Sequence, residues 1–185
     1  MLVDEIFKEI SAHMIKGVMV HEQMADYYDF LNLHGFKKCH EYHSKCEMKN
    51  LRKLHKYYIN HFNRLVPDDS VEDPQLIPSS WYKYSRQEVD PNTKRQAVKS
   101  GIEKWVAWET ETKNLYEQMY KELQDINEVA AAEKVSCLIR DVDCELKWAQ
   151  RRHISLATSD YDMGYILGQQ DWLHDWFKER MHDKH

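Results

Sequence analysis

The sequence predicts an all-α domain, and three observations carry that prediction. Only five glycines and four prolines occur in 185 residues while 31% are charged, a balance that favours long helices over turn-rich sheets. Apolar residues recur three and four apart in four long stretches, the spacing of one helical face. All four prolines, Pro67, Pro74, Pro78 and Pro91, fall between Val66 and Thr93, so the breaks are gathered into one connection that must be mostly extended or irregular. The length suits one domain with a substantial core.

Taken in order, the first helix is expected from Asp4 to about Leu33, with Phe7, Ile10, Met14, Val18, Ala25, Tyr28 and Leu31 on one stripe. His34-Gly35 reads as a turn. A second helix follows from Phe36 to about Leu65, and its stripe of Phe36, His40, His43, Glu47, Asn50, Leu54 and Tyr57 is unusually polar. After the proline-bearing stretch, which also holds Asp68-Asp69, a third helix runs from Lys94 to Leu123 with Val98, Ile102, Trp105, Glu109, Tyr116 and Met119 inward. Asn127 is the expected N-cap of a fourth, Glu128 to about Leu156, striped by Ala131, Val135, Leu138, Val142, Glu145, Ala149 and Arg152. A fifth helix is expected after Thr158, carrying Trp172, Trp176 and Phe177 as a docking stripe or a subunit interface. The bundle is thus assigned to 1–157 and the added helix and tail to 158–185. His174, His182 and His185 read as a solvated tail.

Short first and third joints imply two antiparallel hairpins, while the long middle connection is enough to cross the full length of a bundle. The expected topology is up-down-down-up.

A net charge of -5 with acids and bases interspersed gives no basic stripe, which argues against a nucleic-acid partner. Met1 to Ile10 has neither the basic start nor the apolar run of a signal peptide, and no window is apolar enough to span a bilayer, so a cytoplasmic protein without membrane attachment is expected. Cys39, Cys46, Cys137 and Cys144 form two pairs seven residues apart, too far along a helix for a disulfide within it. Reduced core thiols are the expectation.

Glu47, Glu109 and Glu145 sit in mid-helix on stripes that should face the interior. Buried carboxylates facing one another repel and raise one another's pKa unless protons or a cation intervene. A divalent metal resolves that conflict: oxygen ligands suit iron, manganese, zinc or magnesium, and imidazole narrows the set to iron, zinc or manganese. His43 and His40 lie one and two turns from Glu47 on the same face, and His21 on the antiparallel first helix should be level with His40. His21 and His43 with the three glutamates form the candidate ligand set. The competing reading is a protonated carboxylate network with core-edge histidines hydrogen-bonded to it.

The segment from Phe30 to Ile59, FLNLHGFKKCHEYHSKCEMKNLRKLHKYYI, resembles the corner between the first two helices of ferritins and the helix that follows it. Trp108-Glu109-Thr110 resembles the ligand segment of the ferritin third helix, and Leu138 to Trp148, LIRDVDCELKW, the acidic stretch of the fourth. The resemblance implies a ferritin-like four-helix bundle, with Glu47, Glu109 and Glu145 on metal positions. It also implies departures: Met14 stands where that pattern has Glu, Asn50 where it has His, Val142 where it has Glu, and Glu145 where it has His. A reduced site is therefore expected rather than a full two-metal ferroxidase centre. The implied activity is iron binding with ferroxidase-like or other redox chemistry, and the implied assembly a homo-oligomer. The alternatives are a metal-free ferritin-fold scaffold and a generic helical regulator whose glutamates would not face one another.

Overall fold

The structure, a computed structural model, describes residues 2–67, 70–77, 85 and 89–182, with backbone alone for 179–182. Asp68, Asp69, Pro78 and His185 lie outside the described residues. Five helices form: α1 (Val3–Phe30), α2 (His34–Phe62), α3 (Pro91–Asp125), α4 (Val129–Thr158) and α5 (Met163–His182). The described residues contain no strand.

Asparagine and aspartate end the helices. Asn32 takes φ 57°, which lets the Leu33 N–H donate to the Tyr28 carbonyl at 2.9 Å and satisfies a carbonyl the helix leaves over. Asn63 (φ 55°), Asn127 (φ 59°) and Asp160 (φ 48°) repeat the device after α2, α3 and α4, since their short polar side chains tolerate the left-handed region. This corrects two expectations. The first joint is Leu31 to Leu33, with His34 and Gly35 already inside α2. Asn127 closes α3 rather than capping α4, whose preceding Glu128 makes no side-chain cap bond. The firmest start is that of α3, where Asp90 accepts from the N–H groups of Asn92 at 2.8 Å and Thr93 at 3.0 Å with Pro91 in the first turn.

Along the α1–α3 interface, the Tyr27 hydroxyl donates to the Ala97 carbonyl while His13 meets Thr112. Rising numbers on one helix therefore meet falling numbers on the other. With α1 and α2, and α3 and α4, joined as hairpins, the bundle runs up-down-down-up. Part of the crossover lies against this face, where the Leu76 N–H donates to Gln23 Oε1 at 2.9 Å.

The apolar core is in two halves. One is built around Phe7, Ile10, Leu54, Tyr58, Met119 and Val135, the other around Tyr28, Phe36, Val98, Ile102, Trp105, Ile166 and Phe177. On α2 the lower stripe is one residue out from expectation: Leu51 and Tyr58 are buried, whereas Asn50 and Tyr57 are half-buried. Val18 is likewise half-buried, and Gly17 faces inward in its place. None of the cysteines forms a disulfide, but only Cys39 is a core thiol; Cys46 and Cys137 are half-buried and Cys144 is exposed. His174 is not simply solvated, since its Nε2 meets Lys38 Nζ at 2.7 Å across the α2–α5 contact.

That contact explains Gly35. A Cβ there would lie 1.7 Å from the Gln170 carbonyl oxygen and 2.9 Å from the His174 nitrogen, both backbone atoms of α5. In an open helix Gly→Ala gains about 1 kcal/mol, whereas forcing atoms into a packed contact costs about 1–3 kcal/mol. Gly35→Ala is expected to be destabilising on balance, or to detach α5, read by urea unfolding and by the fluorescence of the α5 tryptophans. A more stable variant with α5 still docked would contradict this packing.

Candidate metal centre

Between the two apolar halves lies a polar layer. His21 projects from α1, His40, His43 and Glu47 from α2, and Glu109 from α3, all buried. Glu145 of α4 is at the edge, its side chain 21% exposed, so the expectation that it faces the interior fully is corrected. Gly17 makes the room: a Cβ there would be 3.5 Å from the Glu47 carboxyl carbon and 3.3 Å from the Trp108 ring.

The contacts orient the donors. His21 Nδ1 lies 3.1 Å from His40 Nδ1, one ring donating and the other accepting, which aims His21 Nε2 at Glu109 Oε1, 3.6 Å away. The Trp105 indole N–H donates to the same Oε1 at 2.9 Å. His43 Nδ1 is 3.5 Å from Glu145 Oε2, and the His21 and His43 rings are 5.3 Å apart. Several buried polar atoms have no hydrogen-bond partner: His21 Nε2, His40 Nε2, both ring nitrogens of His43, and Glu109 Oε2.

The electrostatics follow from burial. Desolvation, then the nearby His43 cation, pushes His21 down to about 3, and desolvation holds His40 well below the usual imidazole range. Burial also opposes the cation at His43, but the negative charge of Glu145 and the proximity of Cys39 overcome it and raise its pKa. Desolvation raises Glu109 to about 7 against the opposing pull of His43 and Trp105. Glu47 is raised well above the carboxylate range by desolvation and then by Glu145 and Glu109. The layer thus combines the neutral imidazoles of His21 and His40 and a cationic His43 with carboxyl groups that resist ionising together, donor types that a borderline divalent cation takes once His43 gives up its proton. Among the described residues, however, no three His, Cys, Asp or Glu side chains stand as a ready-made metal-holding group.

An open cleft of about 390 Å³ between α2, α4 and α5 reaches this layer from solvent, lined by His43, Cys46, Cys144, Glu145, Trp148 and Trp176 among others. Met14 and Val142 are apolar core. Two contributors went unread in the sequence. Trp105 lies on an apolar stripe, but its i,i+4 spacing to Glu109 is that of a side-chain pair on one face, and Gly17 is an isolated glycine inside a helix, a pattern that often marks close packing.

Neither a known sequence family nor a curated protein matches this chain. Solved structures do. An open-pore ferritin from the hyperthermophilic archaeon Archaeoglobus fulgidus superposes with a TM-score of 0.76 at 16% identity, covering 92% of this chain and 94% of that one. A humanized archaeal ferritin gives 0.77 at 13%, covering 92% and 94%, and a PmFTN variant soaked in iron gives 0.70 at 11%, covering 90% and 95%. The fold is therefore ferritin-like, an all-α bundle with a fifth helix. Among the described residues no helix is long and apolar enough to cross a membrane.

Next to the layer, His13 stacks on Trp108 at 4.4 Å, and its Nε2–H donates to Thr112 Oγ1 at 2.8 Å. Burial, then Lys16, lowers its pKa to about 4. A histidine depressed in the folded state contributes stability that is fully present above the unfolded value near 6.5 and is lost as pH falls toward 4. Between those limits the wild type should lose on the order of 2 kcal/mol more unfolding free energy than His13→Phe, which keeps the ring stack but does not titrate. Chemical denaturation of both proteins across that range measures the difference, with the remaining groups common to each. Parallel pH profiles would contradict the burial of neutral His13.

Proposed function

We propose that this chain is a ferritin-fold metal-binding protein that holds a divalent cation, iron first and zinc or manganese otherwise, between His21, His43, Glu47, Glu109 and Glu145. The observation that carries this reading is the set of orphaned buried atoms, His21 Nε2, both nitrogens of His43 and Glu109 Oε2, in a layer that also contains Glu47. Leaving each unpartnered costs about 1–3 kcal/mol, and a cation satisfies them together while relieving the repulsion that raises Glu47.

In this reading His40 engages His21 Nδ1 and leaves Nε2 to face the ion, while Trp105 fixes Glu109 through Oε1 and leaves Oε2 unpartnered. Such supporting bonds orient ligands and tune their basicity. The cleft beside His43 and Glu145 is the entry route. Bound iron would supply one-electron redox chemistry of ferroxidase type, and an iron-soaked crystal among the fold neighbours supports iron as the first choice. Self-association into a homo-oligomer is part of the proposal, supported by a fold neighbour described as an open-pore ferritin.

A metal-free scaffold is favoured by one observation, the absence among the described residues of three donors already gathered for an ion. The two readings separate in solution. Tag-free protein loaded anaerobically with Fe(II) should retain near-stoichiometric metal, and Glu47→Ala with Glu109→Ala should lose it, by elemental analysis. A hundredfold excess of metal over its Kd should stabilise by about 2.7 kcal/mol, raising Tm by roughly 5–10 °C for a chain of this size, and chelator should reverse the gain. No retained metal and no shift would leave the scaffold reading.

A further inference from the structure

Four of the six tryptophans form a continuous line of ring contacts from the polar layer to solvent. Trp105, 1% exposed, donates its N–H to Glu109 and lies 5.3 Å, ring to ring, from His43. Trp148 is 5.5 Å further out, Trp176 a further 5.9 Å, and Trp172 a further 5.8 Å. Trp172 is 44% exposed. Docking of α5 does not account for this line, because Leu173 and Phe177, each 1% exposed, already supply its buried face. An indole left nearly half in water contributes little burial but provides a terminus at the surface.

We propose that Trp105, Trp148, Trp176 and Trp172 are a one-electron relay joining the polar layer to an outer-sphere one-electron oxidant at the exposed face of α5. Electron tunnelling falls exponentially with distance, so steps between touching rings outrun one jump through the bundle. The charges beside the rings differ along the line. The Arg152 guanidinium sits 4.8 Å from the Trp148 ring centre and 4.3 Å from that of Trp172, and a cation over an indole face disfavours a second positive charge on that ring. Trp105 is the opposite case, since donating its N–H to a carboxyl oxygen strengthens when the donor becomes positive. The inner terminus of the relay rests on the metal-binding reading: a divalent ion held by His21, His43, Glu47, Glu109 and Glu145 would supply the single electron that the oxidant gains, and each indole returns to its starting state. No bond forms or breaks, and no proton moves.

Metal-free protein in a Trp81→Phe background, which removes a tryptophan outside the described residues, tests the relay by itself. Flash-generated tris(bipyridine)ruthenium(III) should produce a tryptophan radical, seen by transient absorption and electron paramagnetic resonance, that ascorbate in solution does not quench. That shielded signal should be lost in Trp172→Phe and in Trp176→Phe, two positions outside the tight core. A radical fully quenched by ascorbate, or a shielded signal unchanged in both variants, overturns the relay. Loading Fe(II) should then shorten the shielded signal as iron is oxidised. A shielded radical that Fe(II) leaves untouched keeps the relay and removes the metal reading, whereas iron binding without a shielded radical does the reverse.

Discussion

Carboxyl groups on facing helices of one bundle cannot share its interior as free anions, and the middle of this protein is arranged around that constraint. Glu47 and Glu109 are both pushed toward the protonated form by desolvation, and Glu47 further by its acidic neighbours. The apolar core divides in two to accommodate them, three histidines fill the space beside them, and Gly17 yields its side-chain volume to Glu47 and Trp108. Protons or a cation must close the balance. A carboxyl raised in the folded state stabilises below its unfolded pKa and loses that contribution as pH rises through the folded one, so for Glu109 protons serve from 4.5 downward and fail by about 7. Near neutrality Glu109 gives up its proton beside the His43 cation, and in the proposed reading a metal ion takes over the balance.

Much of this was legible because helical spacing is a strong signal. The positions of Glu47 and Glu109 within apolar stripes located the layer, and antiparallel pairing of the first hairpin brought His21 level with His40, where they meet at 3.1 Å. What escaped has physical reasons. The joints use asparagine and aspartate at positive φ rather than glycine, so the turn at Asn32 carries a weaker sequence signal than the nearby His34-Gly35. Gly35 answers to a helix some 135 residues away in sequence, which no local pattern encodes. Glu145 shares its stripe with buried residues, yet the cleft between α2 and α4 leaves it wet at one edge. Trp105 read as core because it is core; only its pairing with Glu109 gives it a second role.

The fifth helix ties these features together. Gly35 lets it lie against α2, Ile166, Leu173 and Phe177 carry the upper apolar half across to it, and Trp176 and Phe177 form one wall of the cleft that leads to His43 and Glu145. The helix therefore shapes the access to the polar layer as well as stabilising one end of the bundle. Met14 and Val142 close the lower side of the layer with apolar side chains, while the histidines and α5 build out the upper side.

The central claim, that the polar layer is a cation site, is tested most directly by anomalous diffraction at the iron absorption edge from crystals grown anaerobically with Fe(II). The account predicts a peak within bonding distance of Glu109 Oε2 and His21 Nε2, with Glu47 turned toward it. A layer without a peak, its carboxyl groups hydrogen-bonded to one another and to the histidines, would contradict the claim and assign the layer to a protonated structural network.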